Sequence, residues 1–205
     1  MKKLLAIGVF AVVAATHSVS AAVVDGLVTS GAGSFEEIVD TTGLTVGQNN
    51  QQSDNLFAFN EAQNVKLTSD LSTDMGGSIS AGTVVSSHYV FFDPVRGFQE
   101  GFVDFDSPIL AVITSLGALT LSDFLGDPEV TYLSPALRGL ESGDSVGIDP
   151  GIGTRLLVDW FASSPGDYVR VITEGELAVV PVPASGLLLL GGLGMIVVAR
   201  RRRKV

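Results

Sequence analysis

Residues 84–94 read VVSSHYVFFDP, and the fold turns on how they are read. Val84 to Phe92 is dense in β-branched and aromatic side chains, which pack well on a pleated surface, and Asp93-Pro94 stops the run. A strand is predicted here. Downstream, Gly101 to Asp106 (GFVDFD) alternates, placing Val103 and Phe105 on one face and Asp104 and Asp106 on the other. Ile109 to Thr114 (ILAVIT) is an apolar run bounded by Ser107-Pro108 and Ser115. Thr154 to Ala162 (TRLLVDWFA) and Asp167 to Thr173 (DYVRVIT) flank Ser164-Pro165-Gly166 and are expected to pair as a hairpin. In the second of these, Val169, Val171 and Thr173 should face one way and Tyr168, Arg170 and Ile172 the other. Short runs of period two, punctuated by Gly, Pro, Asn and Asp, predict an all-β fold, an antiparallel β-sandwich of jelly-roll type. Helix signals are thin: one turn over Leu121 to Leu125, with Ser122 placed to cap it. Gln48 to Asn55 (QNNQQSDN) has no apolar residue and is expected as an exposed loop.

The two ends of the 205-residue chain are of a different character. Lys2 and Lys3 precede an apolar core from Leu4 to Ala15, too short to span a bilayer, and Val19-Ser20-Ala21 ends on a small residue. This is the pattern of a secretory signal peptide over residues 1–22, a signal helix cut after Ala21 or Ala22. The other end, residues 180–205, reads VPVPASGLLLLGGLGMIVVARRRRKV. Leu177 to Ala199 carries no charge, and Ala184 to Ala199 would make a helix of about 24 Å at ~1.5 Å per residue. That falls short of the ~30 Å hydrocarbon core, a gap that snorkelling arginines and local thinning can close. Residues 177–205 are therefore expected to hold a single transmembrane helix. Arg200, Arg201, Arg202, Arg203 and Lys204 would keep the tail cytoplasmic, leaving the body, residues 23–176, outside. Val180-Pro181-Val182-Pro183 cannot continue a helix backward and should form an extended, accessible stalk. A plain one-pass anchor would satisfy the same residues.

Charge follows this division. All 22 acidic residues lie between Asp25 and Glu176, against five basic ones, so the body carries −17 while the whole chain carries −10. Such a surface repels phosphate backbones, which excludes nucleic acid as a partner. The chain has no cysteine, so disulfides and thiolate metal sites are excluded as well.

Catalytic constellations are missing from the pattern. His88 is the one histidine beyond the signal segment; it follows Ser86 and Ser87, but a separation of two in a strand is a poor start for a triad, and a structural histidine is expected. Gly31-Ala32-Gly33 and Gly151-Ile152-Gly153 lack the strand-to-helix setting of a dinucleotide loop, and no G-x-S-x-G occurs. Trp160 sits in an apolar strand pattern and is expected in the core. No enzyme activity is expected. Asp104 with Asp106, and Asp144 with Asp149 around a Gly-rich turn, could offer oxygen ligands to calcium. Against that, Asp occupies turns and solvated strand faces for backbone reasons alone. A calcium-assisted carbohydrate-binding module is the alternative this leaves open, and a polysaccharide hydrolase a more distant one, since it would need two opposed carboxylates across a cleft.

The ordered ending of paired prolines, short apolar span and basic stop resembles the PEP-CTERM sorting signal of Gram-negative bacteria, in its VPLPA variant, with Val182 where that variant has leucine. The resemblance implies recognition by an exosortase, a membrane-embedded cysteine protease-transpeptidase, with processing over Val180, Pro181, Val182, Pro183 and Ala184. It also implies an association with exopolysaccharide or biofilm matrix, and a cell-surface or secreted product after a membrane-anchored precursor. In the body, NLFAFNEAQNVKL (55–67), VSSHYVFFDP (85–94), FDSPILAVITS (105–115) and SPGDYVRVIT (164–173) are similar to a PEP-CTERM group without assigned activity, so the resemblance implies no site residues there.

Overall fold

The computed structural model describes residues 21–133, 138–163 and 165–177. The signal segment as far as Ser20, the stalk and basic stop (Val180 to Ala184 and Arg200 to Lys204) and the expected transmembrane helix lie outside them, while the expected cleavage residues Ala21 and Ala22 are described. Among the described residues no helix is long and apolar enough to cross a membrane.

The chain is all-β. Its strands are β1 (Val23–Gly31), β2 (Phe35–Glu37), β3 (Thr45–Val46), β4 (Ser53–Asn60), β5 (Val65–Lys66), β6 (Val84–Asp93), β7 (Gly97–Phe105), β8 (Ile109–Ile113), β9 (Thr131–Tyr132), β10 (Ser145–Ile148), β11 (Arg155–Ala162) and β12 (Asp167–Glu174). One short helix, α1 (Leu116–Leu121), runs into a 3-10 turn at Asp123–Leu125. The first sheet has the order β1-β7-β11-β10 and the second β2-β4-β6-β12-β8, with β5 beside β6 and a small β3-β9 pair apart.

The two main sheets differ in what covers them, and their sequences show it. In β7 and β11 buried and exposed residues alternate, because only one face of the first sheet meets the core. In β6 and β12 nearly every residue is buried, because the second sheet is covered on both sides. On one side Val90, Phe92, Val169 and Val171 pack with Val103, Leu156, Val158 and Trp160 of the first sheet. On the other, Tyr89, Phe91, Tyr168 and Ile172 pack under Val46, Leu67, Leu71, Leu119, Leu125 and Val130. Phe91 stacks on Phe57 and on Tyr168 with ring centroids 5.0 and 5.8 Å apart. The alternation expected for residues 167–173 is therefore observed, with both faces in core.

Three local expectations are corrected. The strands flanking Pro165-Gly166 do not form a hairpin: β11 pairs with β7 and β10, β12 with β6 and β8. Gly166 permits this arrangement. A Cβ there would lie 2.3 Å from the Phe92 carbonyl oxygen, so the glycine lets β12 close against the end of β6 in the other sheet. Secondly, the turn expected over Leu121 to Leu125 is present as the 3-10 turn at Asp123–Leu125, with α1 running into it from Leu116; Ser122 holds its N-cap position, but without a side-chain capping bond, since its hydroxyl donates to the Leu119 carbonyl at 3.0 Å and accepts from Arg170 at 2.7 Å. Thirdly, the sheets are not wholly antiparallel. β2 with β4 and β3 with β9 run parallel, each after the long connection that a parallel pair requires. The polar tract at residues 48–55 is a loop only as far as Gln52, since β4 starts at Ser53.

Candidate functional site

The four carboxylates proposed for calcium are not gathered. Asp104, on β7, is held bidentate by Arg155, with Nε and Nη2 at 2.6 and 2.7 Å, and the same guanidinium lies 3.6 Å from the centre of the Phe102 ring. Asp106, past the end of β7, accepts from the Ala22 amide at 2.8 Å and from the Ser107 hydroxyl at 3.1 Å. Asp144 accepts from the amides of Phe161 at 2.8 Å and Glu141 at 3.2 Å. Asp149 accepts from the Gly151 amide at 2.8 Å. Asp144 and Asp149 flank β10 at opposite ends, about 17 Å apart at ~3.4 Å per residue. Among the described residues no group of three or more His, Asp or Glu side chains is arranged to hold a metal ion.

His88 is fully buried between Asn60 Oδ1 at 2.7 Å from Nδ1 and Thr173 Oγ1 at 2.9 Å from Nε2, with its ring 4.7 Å from that of Phe105. The amide oxygen of Asn60 can only accept, so Nδ1 carries the proton and Nε2 accepts from the threonine. Burial pushes the imidazole pKa down to about 3. Ser87 and Ser86 turn elsewhere, the one donating to Glu61 at 2.6 Å and the other accepting from the Asn64 amide. No triad forms, and Trp160 is 1 % exposed in the core.

Two buried features carried no clear signal in sequence. The first is an ion network on the inner side of β12. Arg170 and Glu61 are both completely buried and meet through bonds of 2.6 and 2.8 Å. Glu61 also accepts from the hydroxyls of Tyr132 and Ser87, each at 2.6 Å, so four donors saturate its oxygens. Arg170 continues to Ser122 and Asp123, and Asp123 takes a bidentate pair from Arg138 at 2.9 and 2.7 Å. Two positive and two negative charges balance in this network. Burial and the Glu61 charge push the Tyr132 hydroxyl far up, so it stays a donor. Chemically this is a clamp holding the α1 region on the second sheet. Its trace in the sequence is a lone arginine inside DYVRVIT.

The second is Asp167, 1 % exposed at the start of β12. Burial first, then the negative charge of Asp144 and Glu141, pushes its carboxyl up to about 8, so it holds a proton at neutral pH. A proton donor beside a carboxylate suits acid–base chemistry, but its burial keeps substrate from it.

An accessible concavity does exist elsewhere, with a volume of about 520 Å³. It is lined by the end of β1 (Ser30 and Gly31) with Ala32 just beyond it, by Asp54 of β4 and by buried Phe92. Arg96, in the β6–β7 turn, stands with Gly97 and Phe98 at its margin. Close backbone packing shapes it: Gly31 and Gly33 have φ of +104° and +83°, and Cβ atoms there would fall 2.3 and 1.9 Å from the carbonyl oxygens of Phe98 and Asp54. Behind it Gln99 donates to the carbonyls of Ala32 and Asp54 at 3.1 and 2.7 Å, tying three strands together. Phe98 also belongs to the outer face of the first sheet. There it lies opposite Phe161, with Glu100 opposite Asp159, Phe102 opposite Leu157 and Asp104 opposite Arg155. Phe98 and Phe161 are 45 % and 50 % exposed, and Arg96 reaches over the Phe161 ring at 5.5 Å. Comparison with family models, curated proteins and solved structures finds no match to this chain.

Proposed function

We propose that this chain is an exported surface or matrix component, processed by an exosortase at its C-terminal signal and associated with exopolysaccharide, with no catalytic role of its own. On this reading its body is a jelly-roll-like β-sandwich with an added covering layer over the second sheet. The observation that carries the proposal is the ordered ending of Val180 to Ala184, an uncharged span, and Arg200 to Lys204, set behind a body of −17. The described residues support it in two ways. Their charged pairs are closed structural contacts, as in the Glu61–Arg170 clamp, and the Asp104, Asp106, Asp144 and Asp149 carboxylates are occupied by the protein's own donors.

The other end adds detail. The Ala22 amide donates to Asp106 Oδ1 at 2.8 Å, and the Ala22 carbonyl accepts from the Asp106 amide at 3.1 Å. Cleavage after Ala21 would leave the new ammonium against that carboxylate and keep both contacts; cleavage after Ala22 would lose them. Intact-mass and terminal-peptide mass spectrometry of the protein released by its native host tests both ends. The expected product begins at Ala22 and ends between Val180 and Ala184. A released protein still ending in Arg-Arg-Arg-Lys-Val would refute the sorting assignment.

A further inference from the structure

We infer that the concavity bounded by Asp54, Arg96, Gly97 and Phe98 is a binding site for a neutral, hydroxyl-rich glycan, one of whose sugar rings stacks on Phe98. The inference deepens the exopolysaccharide association proposed above and rests on that reading, while its binding test is separate from the terminal mass spectrometry that tests export and sorting.

Three observations carry it. Among the described residues, the Asp54 carboxylate and the Arg96 guanidinium have no ion pair or hydrogen bond, although both line one small cavity. Elsewhere in the body arginines are committed: Arg138, Arg155 and Arg170 all pair with carboxylates. A free donor and a free acceptor across one cavity suit a ligand whose groups both give and accept hydrogen bonds, as hydroxyls do. An anion would be drawn to Arg96 but repelled by Asp54 and by the −17 of the body; a cation would meet Arg96. Secondly, the cavity opens onto aromatic rings rather than a generic apolar patch. Phe98 exposes about half its surface there, beside a Phe161 ring that Arg96 covers at 5.5 Å, with Glu100 and Asp159 as further acceptors in the next register row. Apolar ring faces alternating with acceptors match sugars, which present C–H faces and hydroxyl edges. Thirdly, a volume of about 520 Å³ suits a small ligand segment. A second copy of the chain is disfavoured as the occupant, since two bodies of this charge repel.

Isothermal titration calorimetry tests this on the full chain, purified in a zwitterionic, non-glycosidic detergent. The probes are cellohexaose, laminarihexaose, maltohexaose and mannohexaose, with an alginate hexamer as the acidic comparison. Saturable binding of at least one neutral oligomer is expected, with alginate binding weaker than that oligomer. Phe98→Ala, Arg96→Ala and Asp54→Asn should each weaken it about tenfold. Gly97→Leu should abolish it by filling the site. A Cβ on Gly97 would lie 3.5 Å from Phe92 Cζ and 3.8 Å from Asp54 Oδ1, ordinary contact distances, so this plug leaves the strand in place. Leu121→Ala, at an exposed position on α1, should bind as the unmodified chain does. The proposal is overturned if none of the neutral oligomers binds, if alginate binds more tightly, or if Phe98→Ala and Gly97→Leu bind unchanged.

Discussion

Replacing Asp167 by Asn should stabilise the protein at alkaline pH and do progressively less as the pH falls. The carboxyl is buried beside Asp144 and Glu141, and its pKa rises from 3.8 to about 8. A group whose pKa is raised by folding contributes stability that is fully present below its unfolded pKa and is lost as pH climbs through the folded one. The relevant window is therefore pH 4 to 8. At about 1.4 kcal/mol per unit, the shift corresponds to an upper bound of about 6 kcal/mol. The neighbouring Asp144 can rearrange to share the proton, so about 3 kcal/mol is a reasonable expectation for the difference developed across the window. Asn keeps the shape and can donate towards Asp144 without ionising. Urea unfolding of both proteins at half-unit steps from pH 4 to 9 measures it. The stability of Asp167→Asn relative to the unmodified protein should climb with pH, most steeply between pH 5 and 7, and level off above 8. A difference that stays constant from pH 4 to 9 would show that Asp167 ionises as freely in the folded protein as in the unfolded one, and the reasoning would fail.

Three further outcomes follow from the described geometry. Glu61→Ala leaves the buried Arg170 guanidinium without its carboxylate and should cost about 3–5 kcal/mol in urea unfolding, while Glu61→Leu combined with Arg170→Met should recover much of it; a loss under 1 kcal/mol for the single change would contradict the clamp. His88 has its pKa depressed by burial, so it contributes stability above pH 6.5 that is lost as pH falls towards about 3. His88→Gln should flatten that acid limb in the same urea series, and an unaltered limb would mean the ring charges without penalty. Gly33→Ala forces a Cβ to within 1.9 Å of the Asp54 carbonyl at a φ of +83°, and should lower the thermal midpoint by several degrees by calorimetry, at about 2–4 °C per kcal/mol; an unshifted midpoint would show that the β1–β4 approach relaxes freely.

The positions of β6, β7, β8, β11 and β12 were legible along the chain because they depend on near neighbours, whereas β1, β4 and β10 were not read from it. VVSSHYVFF, GFVDFD, ILAVIT and DYVRVIT became β6, β7, β8 and β12. Even the burial of β6 on both faces is foreshadowed by its lack of alternation. The structural role of His88 and the core position of Trp160 were legible too, since neither had partners of another kind within reach. Sheet membership was not. The turn at Pro165-Gly166 looks like a hairpin from its length, but the two strands pair in different sheets, with Gly166 allowing the close approach to the Phe92 carbonyl.

Pairs that define sites are further still from any local pattern. Glu61 and Arg170 are 109 positions apart, and nothing around either residue specifies the other. Asp54 and Arg96 share a cavity because β1, β4 and β7 converge there, with glycines allowing backbone contact. Asp104 was legible as a candidate ligand, but its commitment to Arg155 arises from cross-strand register. Composition and local pattern carry the charge of the body, the expected address at its end and the positions of its most strongly patterned strands, since each is a sum or a period over adjacent residues. Which charges are sealed together and which stand free at a surface is decided by packing, where the cost of burying an unpaired charge selects partners without regard to distance along the chain.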